Sequence, residues 1–194
     1  MINQNFVILG AIIEMIGGIG YIRDTLRGKV QPNRVSWGLW ALTVAIAFIA
    51  EVKQGVGIQA LTTFMVGFMP LLIFIASFVN KKAYWKVTMF DLVCGLLSIV
   101  GLVLWITTKV GNLAIGFSIV ADLAAGIPTL VKAFQYPESE NWFAYAASFT
   151  AVSLTILTLK TWSFAYLAYP LYVFCYDLTA VVLIKLKLGK VLSR

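Results

Sequence analysis

The chain contains no histidine. That absence removes imidazole acid–base catalysis, histidine metal ligation and a histidine pH switch. Cysteine is nearly as scarce. Cys94 and Cys175 stand alone in apolar stretches, without the spacing of a metal or redox motif, and read as small buried hydrophobes. Charged side chains make up only 12% of the 194 residues, too few to clothe a soluble surface. No segment alternates polar and apolar residues as a barrel strand does, and the glycine-rich stretches follow no strand, so a phosphate-binding loop is not supported. With no catalytic constellation, the chain reads as a non-enzyme that requires neither metal nor cofactor.

What the chain has in abundance is apolar surface: 61% of its residues are hydrophobic. About 20 apolar residues in a helix cross a hydrocarbon core of roughly 30 Å, and lipid offers backbone groups no other partner. Seven such segments are expected, near 5–22, 35–52, 57–79, 88–107, 112–133, 142–159 and 163–184. The expected fold class is an all-α integral membrane protein, a single membrane domain over 1–194 with short connections. The start Met1-Ile2-Asn3-Gln4-Asn5 carries no basic residue and no cleavage pattern follows the first span, so that span is expected to be retained.

The formal charge of +7 is distributed by side rather than clustered for nucleic acid. Alternate loops and the C-terminal tail hold Arg23, Arg27, Lys29, Arg34, Lys81, Lys82, Lys86, Lys132, Lys185, Lys187, Lys190 and Arg194, whereas the opposite side holds Lys53, Lys109 and Lys160. Twelve against three predicts an outside N-terminus and a cytoplasmic C-terminus, as in a bacterial inner membrane, with some contact to anionic lipid heads.

Two corners echo each other at a spacing of 105 residues. Pro32, Trp37 and Trp40 fall against Pro137, Trp142 and Tyr145, and upstream Arg27 falls against Lys132. A second echo, at a spacing of 100, sets Met69-Pro70-Leu71 against Tyr169-Pro170-Leu171 and Ser77 against Asp177. Parallel repeats joined by a linker span would account for both: 5–80 as the first three-helix unit, 88–107 as the linker and 111–186 as the second unit.

The run Gly126-Ile127-Pro128-Thr129-Leu130-Val131-Lys132-Ala133-Phe134-Gln135-Tyr136-Pro137-Glu138-Ser139-Glu140-Asn141-Trp142 resembles the corner of the PQ-loop and SWEET-like transporters. There a helix ends with a proline and a polar residue, followed by a basic stretch and a serine-containing start of the next helix. Thr129 stands where that group has glutamine, and the first half has no proline at the corresponding Ile22-Arg23. The resemblance implies a three-plus-one-plus-three frame, carriage of a small solute and a hinge at Pro128.

Three acids sit deep in apolar runs, where each costs roughly 2.5–3.5 kcal/mol and therefore marks a candidate functional site: Glu14, Asp122 and Asp177. Each can bind a solute hydroxyl or amine or take up a proton; the alternative is a hydrogen-bonded structural group. Asp177 stands out because its counterpart in the second echo is Ser77, a further candidate contact. Trp37 with Trp40, and Trp142 with Tyr145, are three residues apart, so each pair shares a helical face. They read either as walls of a solute cavity or as an interfacial aromatic belt. Pro70 and Pro170 are expected to kink their helices and free a carbonyl, while Asn33, Ser36, Ser139 and Asn141 are expected to cap helices.

The expected function is alternating-access carriage of a small polar solute, sugar-like or another small metabolite, with proton coupling left open. The competing class is a receptor or assembly protein on the same frame that transports nothing. Self-association is undecided by these residues.

Overall fold

A computed structural model describes residues 2–53, 57–58, 60–108 and 111–192. Lys109 and Arg194 of the charge count lie outside the described residues, and so does Met1. The described chain is all-α. Its helices are α1 (Phe6–Leu26), α2 (Arg34–Lys53), α3 (Ala60–Ala76), α4 (Met89–Thr107), α5 (Gly111–Gln135), α6 (Trp142–Thr158), α7 (Phe164–Lys185) and the short α8 (Leu188–Leu192). Four segments are long and apolar enough to cross a membrane: Phe6–Leu26, Met89–Thr107, Ile115–Gln135 and Tyr166–Lys185. Ala60–Ala76 and Trp142–Thr158 are apolar but shorter.

Local chemistry sets where several helices start. At α4, Thr88 and Asp91 form a reciprocal capping box that satisfies two backbone donors. Asn33 accepts from the backbone N–H of Val35 at 3.0 Å and so opens α2. Asn141 accepts from those of Phe143 and Ala144 at 2.9 and 3.2 Å and opens α6. The two serines expected to cap do not. Ser36 lies within α2, and the Ser139 hydroxyl turns back to donate to the Tyr136 carbonyl at 2.7 Å.

The helices do not pack in chain order. Helix α3 packs against both α1 and α2, and α7 against both α5 and α6. Across these groups α1 meets α6 and α2 meets α5, while α4 lies on α5 and α2. The α1–α6 contact is made close by small residues: a Cβ at Gly17 would collide with the Ala147 methyl. Large apolar side chains such as Ile12, Ile16 and Ile19 of α1, and Leu96, Leu97 and Val100 of α4, face outward, as expected of helices solvated by lipid. Cys94 is buried, but Cys175 is exposed on α7, so the second cysteine is not the buried hydrophobe expected.

The core runs along the meeting line of α1, α2, α3, α5, α6 and α7. Tyr21, Trp37, Trp40, Ile73, Tyr145 and Tyr176 form its largest continuous cluster. At one end of this line, where α1 and α5 finish and α2 and α6 begin, the two proline corners touch. The Gln31 backbone N–H donates to the Ser139 carbonyl at 2.9 Å, and the Lys132 ammonium donates to the Gln31 carbonyl.

Candidate functional site

Three acids far apart in sequence converge on one cavity. Glu14 comes from α1, Asp122 from α5 and Asp177 from α7; Ser148 of α6 and Val66, Met69 and Pro70 of α3 complete much of the wall. Its volume is about 80 Å³, within about 640 Å³ of non-atom space that includes its mouth. At 1.5 Å per residue, Glu14 and Asp122 lie roughly 18–20 Å from the C-terminal ends of their helices, and Asp177 about 12 Å from its own. All three acids are at least nine-tenths buried, with 8%, 7% and 5% of their surface exposed.

The acids have different surroundings. Asp122 is surrounded by hydroxyl donors: Tyr172 Oη at 2.8 Å, Tyr169 Oη at 3.4 Å and Thr43 Oγ1 at 3.4 Å. Such a set satisfies both carboxyl oxygens and anchors α7 and α2 to α5. Glu14 and Asp177 share one neighbour, Ser148. Each keeps one buried oxygen without a partner, Glu14 Oε2 and Asp177 Oδ2. Among the described residues that line the cavity, these two oxygens and the Trp37 indole nitrogen are the buried side-chain polar atoms without a hydrogen-bond partner, which is costly.

Aromatic rings form much of the wall. Trp37 and Trp40 stand edge to face with centroids 5.2 Å apart, and Trp40 and Tyr176 do so at 5.5 Å. The indole of Trp40 is held by donation from Nε1 to the Asp122 carbonyl at 3.3 Å. Tyr176 packs on Gly126, where any Cβ would strike the ring, and donates to the Gly126 carbonyl at 3.0 Å. Trp37, Trp40 and Tyr145 are all buried, so they are core residues rather than a lipid-facing belt.

Between the cavity and the proline corners lies a second polar cluster. Lys132 Nζ and Glu140 Oε1 form an ion pair of 2.5 Å, with side-chain exposures of 1% and 0%. Tyr21 and Tyr145 donate to Glu140 Oε2 at 2.7 and 3.2 Å. The Trp85 ring covers the ammonium at 5.0 Å. A buried carboxylate thus receives a cation and two hydroxyls, which offsets the cost of removing it from water. The cluster ties α1, α5, α6 and the α2 corner together.

Not every expected site residue reaches the cavity. Glu14, Asp122, Asp177, Trp37, Trp40, Tyr145 and Pro70 line it. Ser77 does not: it lies just past α3, where Arg34 Nε donates to its hydroxyl at 3.1 Å and Nη2 to its carbonyl at 2.7 Å. Trp142 lies outside as well, 39% exposed, with the Lys185 ammonium 4.2 Å from its ring centre. Pro128 and Pro170 are inside α5 and α7 but are not cavity residues. Pro70 is, and Val66, whose carbonyl a proline at that position cannot bond, lines the cavity beside it.

The expectation for Trp142 came from matching the two corners on their prolines. Counted from the two asparagine caps, Asn33 and Asn141, Trp37 corresponds to Tyr145 and Trp40 to Ser148. All four line the cavity. The short 3₁₀ turn Pro137–Ser139 lengthens the second corner, which is why a match on the prolines alone sets Trp37 against the exposed Trp142. The same spacing of 108 also sets Glu14 against Asp122 and Gly18 against Gly126. That spacing is the signal in the sequence that leads to Ser148. Tyr172 and Tyr176 carried no comparable signal, being ordinary aromatics in an apolar run. The pairing of Lys132 with Glu140 was equally hidden.

No family model, characterised protein or solved structure matches this chain.

Proposed function

We propose that the protein is a membrane carrier of a small polar solute. In this reading seven helices span the bilayer as two three-helix units, α1–α3 and α5–α7, joined by α4. The observation that carries it is the convergence of three buried carboxyls, from three helices and about midway along two of them, on a single aromatic-walled cavity. Ionisable groups at such depth are expensive and are found where a solute or ion must be handled. A structural role alone leaves Glu14 Oε2 and Asp177 Oδ2 without an explanation.

The arrangement of the helices supports two like units. In each group the third helix packs on the other two, and the cross-contacts α1–α6 and α2–α5 exchange under a two-fold operation. The spacing of 108 gives the same pairing at Glu14 with Asp122, Gly18 with Gly126 and Asn33 with Asn141. Sites between related units near the bilayer midplane, reached by rocking of one unit against the other, belong to this type of architecture. The Lys132–Glu140 cluster then acts as a gate at the corner end. The basic residues gathered there make it the cytoplasmic end, by the positive-inside rule, with the N-terminus outside.

Uptake by sealed vesicles containing the purified full chain, against a panel of small solutes and with or without a pH gradient, tests the proposal. Saturable flux of at least one solute, reduced in Glu14→Gln and Asp177→Asn, is expected. Flux that depends on the pH gradient assigns proton coupling. Absence of flux across the panel overturns the carrier and favours a receptor or assembly protein on the same helical frame.

A further inference from the structure

The ionisable side chains that line the cavity are all acidic. Glu14, Asp122 and Asp177 line it, and among the described residues no lysine or arginine does. The nearest buried cation, Lys132, is committed to Glu140 and the Gln31 carbonyl at the corner end. Asp122 is supplied by three protein hydroxyls. The α1–α7 pair is not, since one oxygen of each carboxyl is buried without a partner and Ser148 is the neighbour they share. The same cavity is lined by the rings of Trp37, Trp40 and Tyr176, successive pairs of which are nearly perpendicular, at 86° and 85°. Perpendicular rings present π faces in more than one direction, which is how a cage for an alkylated ammonium is built. A neutral sugar would gain stacking from these walls but would bring no positive charge to a wall whose ionisable side chains are acids.

We propose that the solute is a small organic cation, a primary or methylated ammonium compound, held with its nitrogen between Glu14 and Asp177 and its alkyl groups against Trp37, Trp40 and Tyr176. The inference rests on the carrier reading of this same cavity and narrows its substrate class. Size follows from volume. A cavity of about 80 Å³, at roughly 30 Å³ per water, holds about two to three water-sized groups beyond its wider mouth, which suits a small ammonium compound better than a disaccharide. Asp122 serves the site indirectly, by holding Tyr172 and Tyr169 in place.

The test compares isosteres that differ in charge. The purified full chain in lipid nanodiscs is titrated with choline and with 3,3-dimethylbutan-1-ol, its neutral carbon analogue, reading tryptophan fluorescence and thermal stabilisation. Choline is expected to bind about tenfold or more tightly than the alcohol, the difference expected when a desolvated cation meets π faces and carboxylates. Glu14→Gln with Asp177→Asn should abolish that preference. Trp40→Leu, which leaves the carboxyls in place, should weaken choline severalfold, and Glu138→Gln at the exposed corner should leave the ratio of the two affinities unchanged. Equal binding of the two isosteres, or binding of glycerol or glucose in preference to every ammonium probe, overturns the proposal, and so does failure of all the ammonium probes on the wild-type chain. The vesicle assay separates the two readings. Charge-selective binding without flux ends the carrier and leaves the cation site, whereas flux of a neutral solute with no cation preference does the reverse.

Discussion

Removing either partner of the Lys132–Glu140 pair should destabilise the fold at least as much as removing both. The pair is 2.5 Å long and almost fully enclosed, so Glu140→Gln leaves a buried ammonium without its counter-charge, facing neutral groups such as the Gln31 carbonyl and the face of Trp85. Breaking a buried pair from one side costs about 3–5 kcal/mol, because the surviving charge is neither hydrated nor compensated. Replacing both by apolar residues of similar volume, Lys132→Met with Glu140→Leu, is often neutral or stabilising by itself. Here the double replacement also strands Tyr21 and Tyr145, at roughly 1–3 kcal/mol for each hydroxyl left buried without a partner. Adding Tyr21→Phe removes the shorter of those penalties, the 2.7 Å bond. The expected order of stability is wild type above the triple variant, the triple above the double, and the double at or above either single charge variant. Equilibrium unfolding in a bilayer mimic measures it, and a coupling free energy from the double-mutant cycle apportions it. A loss below about 1 kcal/mol for Glu140→Gln would show that the cluster behaves as an exposed surface pair, and the argument from burial would fail.

Three further outcomes follow from local geometry. Gly17→Val should cost about 1–3 kcal/mol through overpacking against Ala147 and Ala144, read as a lowered unfolding midpoint, whereas a neutral result would mean that α1 and α6 are not in close contact. Arg34→Lys should lose about 1–2 kcal/mol, since a lysine cannot reproduce both bonds to Ser77 or the stacking on Phe78 at 4.1 Å and Tyr84 at 4.9 Å. Glu138, at the exposed corner, pairs with Lys190 of α8 at 2.7 Å, and the hydrogen bond from that ammonium holds its carboxyl below the ordinary value. Because the folded-state value is depressed, the stabilisation is fully present above the ordinary carboxyl range and is lost as pH falls through the lowered value. With both side chains about half exposed, it amounts to less than about 1 kcal/mol and fades with salt. Glu138→Gln should therefore lower the melting temperature slightly at neutral pH and leave it unchanged in strong acid; an equal shift at both pH values would contradict the pairing.

Much of the helical framework was legible because it is dictated by solvent. Runs such as Leu92 to Leu104 can satisfy their backbone in lipid only as helices, and α1 to α7 overlap the seven apolar segments expected, though only four of the described helices are long and apolar enough to cross a membrane. The asparagine caps were legible for a similar reason: a short side-chain amide before an apolar run satisfies exposed backbone donors. Intramembrane charge made Glu14, Asp122 and Asp177 visible, and all three reach the cavity. Ser77 was misplaced because a shared proline aligned α3 with α7 at a spacing that puts a helix terminus against a position well inside its partner. Trp142 was misplaced because a three-residue turn shifted the second corner.

From composition and spacing alone came an all-α chain built of apolar segments, the approximate positions of its helices and the three acids that reach the cavity. Those are one-body properties: each follows from a residue's own transfer free energy and its neighbours along the helix. Which groups pair is a many-body property. Lys132 could be counted only as a basic residue at a helix end, and Glu140 only as a loop acid, until the packing of α1 on α6 and of α5 on the α2 corner brought them together out of water. The same packing supplied three hydroxyls to Asp122 and none of those three to Glu14 or Asp177. Electrostatic free energy depends on separation and on the surrounding dielectric, and both are set only when the helices meet.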